Sequence, residues 1–254
     1  MRKGYMGIIG VLLVLTVLVS GCISGGGSGG GNSPTTTTTR SLPFTKGQLE
    51  SAVAGIESYE YVMDIKTYNG TNLTAALHSK VAIDKKNEMK SSITVASRTG
   101  KLVYEVYYYT TKAGFVTLTN RSGLVNWQFS CYEKGKGPEL NSTLLDNLWR
   151  GFPLENATVT AEGDYYLITV NHTLWSEGRT EKDYSGTVTV KLTRDLIPVE
   201  ILQRAYYTKD NERWVDEIKI EISGINSASV EPPQPLVSYL EGQGLDMEEL
   251  FSEC

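Results

Sequence analysis

Alternation of apolar and polar side chains is the feature that most constrains how this chain can fold. Tyr59, Tyr61, Met63 and Ile65 alternate with Glu60, Asp64 and Lys66. A period of two puts one set on each face of a strand, so one face can be buried and the other wet. The pattern returns at Leu73, Leu77, Val81 and Ile83, and again at Met89, Ile93 and Val95. Segments 102–111, 115–119, 124–132, 157–162, 165–172, 184–192, 198–207 and 213–222 continue it. Together these make about eleven strand-like runs. Turns such as Asn69-Gly70 and Thr99-Gly100 join them. Connections this short exclude parallel pairing, which needs a long crossover, so the strands are expected to form an antiparallel meander. Pro198 opens its strand, where it costs no ladder bond.

Helical spacing occurs in three places. Thr45 and Gln48 form a capping box for a helix expected over 45–57, with Phe44 and Leu49 at the staple positions. Leu49, Ala52, Val53 and Ile56 make its apolar stripe. A second helix is expected at 144–149, capped by Asn141 or Ser142 and ended by Gly151-Phe152-Pro153. After Glu231-Pro232-Pro233-Gln234-Pro235, an acidic helical tail is expected over 236–251. The fold class is therefore α+β, mainly antiparallel β, with few helices for so much sheet.

The N-terminus speaks to location. Arg2 and Lys3 precede an apolar run, 8–19, that closes in Val19-Ser20-Gly21-Cys22. This is a basic region, a short apolar core and a small-residue cleavage site. The run is short for a bilayer span, which takes about 20 residues. Ending in Cys, it resembles the lipobox of prokaryotic lipoproteins. That resemblance implies a signal peptide over 1–21, lipidation of Cys22, and an extracytoplasmic protein held to the cell membrane by its acyl anchor. The plainer alternative is an ordinary signal peptide or short anchor with Cys22 incidental. Residues 22–43 are rich in Gly, Ser and Thr and cannot bury apolar area, so they read as a disordered linker. A coil of about 20 such residues reaches about 25 Å. The folded domain is then 44–254.

Charge and chemistry narrow the function. Removing residues 1–21 takes away Arg2 and Lys3 and no acid, moving the net charge from −5 to −7. An acidic chain without a basic run is a poor partner for nucleic acid or for anionic lipid. Of the three cysteines, Cys131 and Cys254 remain once Cys22 is lipidated. Outside the reducing cytoplasm an even remainder invites pairing, so a Cys131–Cys254 bond tying down the C-terminus is expected, the alternative being two separate thiols. His78 and His172 are the only histidines, and no partners at zinc or triad spacing accompany them. No phosphate loop, calcium loop or singled-out acid pair is readable. No cofactor, metal or catalytic residue is assigned, and an enzyme is not expected.

The order of elements has its own likeness. The opening Ile56-Glu57-Ser58-Tyr59-Glu60-Tyr61, the central 144–149 helix and the late turn Arg194-Asp195-Leu196-Ile197-Pro198-Val199-Glu200 resemble the LolA-like and LppX/LprG-like lipoprotein carrier superfamily. The likeness spans about 45–230. It implies a curved, open half-barrel sheet covered by a few helices, with an apolar cleft for acyl chains or lipidated cargo. The cleft lining implied is Tyr61, Met63, Leu77, Val81, Ile93, Val95, Trp127, Phe129, Ile168, Val188 and Ile218, although alternation of this kind is also what ordinary core shows. Fifteen tyrosines, Tyr104, Tyr107, Tyr108, Tyr109, Tyr206 and Tyr207 among them, depart from that picture. Tyrosine tips want polar partners, which suits a lipid head group or a glycan better than bare acyl chains.

Asn-x-Ser/Thr acceptors stand at Asn69, Asn72, Asn120, Asn141, Asn156 and Asn171. Beside a lipobox they point to a glycosylated archaeal surface protein. The sequence leads to a tethered binder of a hydrophobic or amphipathic ligand. The competing expectation is a non-catalytic envelope or sensor module that docks a protein partner.

Overall fold

The computed structural model describes residues 42–133, 136–138, 140, 143–171 and 182–254, the side chains of 182 and 183 excepted. The segment 1–21, Cys22, nearly all of the linker, Asn141 and His172 lie outside the described residues.

Helix α1, Lys46–Ala54, starts at the expected capping box: Gln48 N donates to Thr45 Oγ1, and Thr45 N donates to Gln48 Oε1. It ends three residues earlier than the expected 57, at a Gly55 cap. Six strands follow: β1 Ser58–Asn69, β2 Asn72–Asp84, β3 Met89–Arg98, β4 Lys101–Thr110, β5 Gly114–Arg121 and β6 Leu124–Cys131. Helix α2, Leu144–Leu148, and a 3-10 turn, Leu154–Asn156, come next. Strands β7 Thr158–Glu162, β8 Tyr165–Val170, β9 Lys182–Thr193, β10 Pro198–Lys209 and β11 Glu212–Ser223 complete the set. All eleven join one antiparallel sheet in the order β6-β5-β4-β3-β2-β1-β11-β10-β9-β8-β7. It does not close, since β6 and β7 each pair on one side only, and it forms the curved open half-barrel expected.

Two details differ from expectation. The cap of α2 is Thr143, whose N–H and hydroxyl both donate to Asp146 Oδ2; Asn141 and Ser142 precede it. The tail is two helices, α3 Gln234–Gly242 and α4 Met247–Ser252. Gly244, at φ +75°, turns the chain out of α3, and Asp246 caps α4 by accepting from Glu248 N and Glu249 N. A left-handed glycine followed by an Asp cap ends one helix and starts another.

Strand pairing sets which side chains share a face. Tyr61 opposes Val81, Val81 opposes Ser92, and Ser92 opposes Tyr108. Tyr59, Ile83, Lys90, Thr110 and Phe115 form the next row. Call this the first face. From β8 across to β2 it is apolar and buried: Met63, Leu77, Ile168, Val188, Ile201 and Ile220 pack under Leu49 and Val53 of α1 and Leu145, Leu148 and Trp149 at α2. No residue of β3, β4, β5 or β6 belongs to that core.

At β3 the apolar side changes. Ile93 opposes Lys80 and Tyr107, and Val95 opposes His78 and Glu105, so β3 presents its branched residues to the second face. There a separate core forms from Ala82, Tyr109, Val116 and Leu118 with Leu236 and Leu240 of α3. Phe251 of α4 meets Tyr109 and Phe129 edge-on at centroid distances of 5.8 and 5.5 Å. Cys131, at the end of β6, is bonded to Cys254, the last residue, and fastens the tail there.

Candidate functional site

The eleven candidate lining residues do not come together. Tyr61, Met63, Leu77, Val81, Ile168, Val188 and Ile218 lie on the first face, and all but Tyr61 are buried within the core beneath α1 and α2. Ile93, Val95, Trp127 and Phe129 lie on the second face, where Trp127 and Phe129 pack against the C-terminal core. A residue already packed on all sides has no surface to offer a ligand.

What the first face leaves partly open lies in its other half, over β3 to β5, where Ala96, Tyr104 and Thr110 are nonetheless buried. Ser92, Thr94, Val106, Tyr108, Phe115, Thr117 and Thr119 are each half-buried there. The half is amphipathic. Tyr108 and Phe115 rings stack at 6.2 Å, and Phe115 meets Tyr132 at 6.0 Å. Beside them sits a knot of hydroxyls. Thr110 and Tyr132 share a hydrogen bond of 2.9 Å, and Thr110, fully buried, donates to Gly114 O at 2.8 Å. Burial, then the Tyr132 hydroxyl, hold the Tyr108 phenol protonated well beyond the usual range. Burial likewise pushes Tyr61 up to about 12.

Lys90 stands in the row of Thr110, directly across the β3–β4 ladder. It is half-buried, and loss of solvent lowers its ammonium below the usual lysine range. No carboxylate offsets that loss among the described residues. Of the acids on adjoining elements, Asp84 accepts from Asn87 N, Asp146 pairs with Lys85 at 2.6 Å and Glu105 bonds Asn120 on the second face, while Glu88 stands in the turn two residues before Lys90. Lys90 escaped the sequence reading because that reading followed apolar alternation. The signal was the complementary set, Lys90, Ser92 and Thr94, which marks β3 as polar on the face where β2 is apolar.

The remaining assigned positions are scattered. Asn72, Asn156 and Asn171 are exposed. Asn69 donates to Glu212, and Asn120 is bonded to Glu105 at 3.1 Å while accepting from Gly123 N at 3.1 Å. His78 is exposed on the second face, 2.9 Å from Asp64. Among the described residues no group of three His, Cys, Asp or Glu could hold a metal, and no helix is long and apolar enough to cross a membrane.

No family model and no curated protein matches the chain. Among solved structures it is similar to a DUF1329 family protein from Desulfovibrio piger, at 10% identity and a TM-score of 0.27, over 79% of this chain and 97% of that one. So loose a superposition carries no weight for function.

Proposed function

We propose that this protein is a carrier-type surface lipoprotein of the LolA-like, LppX/LprG-like kind, tethered through Cys22 to the outer face of the cell membrane and binding an amphipathic ligand on its sheet. The observation that carries the reading is the divided first face. One half is a filled core, and the half over β3 to β5 is an aromatic, hydroxyl-lined surface outside it. Rings such as Phe115 and Tyr108 supply apolar contact at about 25 cal/mol per Å² buried, and the tyrosine hydroxyl orients a polar head. The ligand class is a lipid or lipidated cargo, and the reading assigns no bond-making step. Exposed acceptors at Asn72, Asn156 and Asn171 would carry sugar in an archaeal source.

The edge of β6 favours a second reading. Leu124 and Val125 are 79% and 47% exposed beside an unpaired edge, which suits a strand-adding protein partner.

Native mass spectrometry after mild detergent extraction of the full chain tests the first reading. It predicts an N-terminal diacyl mass on Cys22 and a copurifying lipid. A chain repeatedly recovered without lipid, and a Cys22→Ser variant equally retained by membranes, would contradict it.

A further inference from the structure

Resting on the edge reading given second above, we propose that the strand added to β6 is the β6 of a second copy of this chain, antiparallel and centred on Trp127, so that two sheets join into one.

The backbone fixes which groups this edge offers. Tyr132 N donates to Ala113 O at 2.8 Å, in the register that pairs Gly114 with Cys131 and Arg121 with Leu124. Antiparallel ladders alternate hydrogen-bonded pairs with pairs that are not. Even-numbered residues of β6 therefore turn their N–H and C=O toward β5, and Val125, Trp127 and Phe129 turn theirs outward. Among the described residues no strand takes those outward groups, because β6 pairs with β5 alone. Edge strands are ordinarily blunted by charge, proline, a bulge or shortness. β6 has eight residues, no charged side chain, no proline and an unbroken register. The other edge, β7, has five residues and ends in Glu162.

The side chains of β6 suit their own copy. Centred on Trp127, the pairing sets Val125 against Phe129 of the second copy, Asn126 against Gln128, and Trp127 against Trp127. Apolar groups meet on the second face, where Val125 is exposed and Trp127 and Phe129 are half-buried. Amides meet amides on the first face. The outward backbone groups of Val125, Trp127 and Phe129 then exchange about six hydrogen bonds. A chain of net charge −5 repels its copy in general, but this strand carries no charge to repel with.

The chain leading to the anchor fits this arrangement. The axis relating the copies stands perpendicular to the sheet, so both first faces lie on one side. Leu42, Phe44 and α1 lie on that face, and each linker therefore leaves from the same side of the joined sheet. A linker of about 20 residues reaches about 25 Å, which lets both Cys22 anchors of the reading above enter one membrane. The tail does not obstruct the pairing. It is fastened at Cys131, and because the two β6 strands run oppositely, the two tails lie at opposite ends of the shared edge.

The test is sedimentation of the full chain in density-matched detergent at micromolar concentration, with amide hydrogen exchange read residue by residue. A dimer is expected, with slow exchange at Val125, Trp127 and Phe129. Val125→Pro removes an outward N–H and no bond to β5, so it should weaken the dimer at least about tenfold and speed exchange at Trp127 and Phe129. Exchange at Asn126, Gln128 and Ser130, which turn toward β5, should stay slow, which separates a lost interface from a lost fold. Val125→Lys keeps the N–H, sets a charge against Phe129 of the second copy and should weaken the dimer likewise. A monomeric wild type overturns the second copy and leaves the edge open to a different strand. A dimer that both variants leave intact, or fast exchange at Trp127 and Phe129 within the wild-type dimer, overturns the edge itself as the site of pairing.

Discussion

Burial gives the tyrosines of the first face a shared dependence on pH. An unfolded tyrosine ionises near pH 10. Desolvation pushes Tyr61 up to about 12, and it holds Tyr59 and Tyr108 above that. The folded chain thus keeps protons that the unfolded chain loses. Their contribution is complete below about pH 10 and falls as pH rises through the folded value. Lys90 works in the opposite sense: its lowered value opposes folding at neutral pH and ceases to do so as the ammonium is deprotonated. The urea midpoint is therefore expected to drop between about pH 10 and 12, less steeply in Tyr61→Phe. A midpoint level to pH 12 would contradict the burial described for these rings.

At the scale of elements, the tail is what the second face depends on. Leu236 and Leu240 of α3 are buried on Val116 and Leu118 of β5, and Phe251 of α4 meets Phe129 of β6. The Cys131–Cys254 bond spans 123 residues and ends on the last residue of the chain. Closing a loop of this order is worth up to about 5 kcal/mol in the unfolded state, and disulfides typically deliver about 2–4 kcal/mol. Cys254→Ser is expected to lose about that much stability and to raise hydrogen exchange across α3 and α4 first. The urea midpoint and the exchange map both check it, and equal protection of the tail in the variant would contradict it.

The same elements show what the sequence made legible. Every strand was readable, because short turns and a period of two leave little else for such runs to do. The faces were not. Alternation says that Ile93 and Val95 share a side of β3, but not that this side is opposite to that of Met63 and Val81. The four-residue turn between Asp84 and Met89 sets a register in which Val81 meets Ser92. A shift by one residue would have reversed it. The candidate lining was assembled as though all strands buried one common face, so it mixed two cores. The α3–α4 tail held the missing hint: an apolar stripe at Leu236 and Leu240 needs a surface of its own, and the face under α1 and α2 was already covered.

Taken as a whole, the molecule is one wide open sheet with a core on each side, displaced from one another along it. The first-face core occupies β8 to β2 and the second occupies β2 to β6. Their offset leaves the first face of β3 to β5 outside both. That span, only partly covered, is where the ligand is placed. A lysophosphatidate carrying a diazirine near its head group, photolysed on the detergent-extracted full chain and mapped by tryptic mass spectrometry, tests this most directly. The account predicts adducts on β3, β4 and β5 within 90–119, competed by unlabelled lysophosphatidate. Competed adducts confined to the α3–α4 tail, or to β8 through β11, would contradict it.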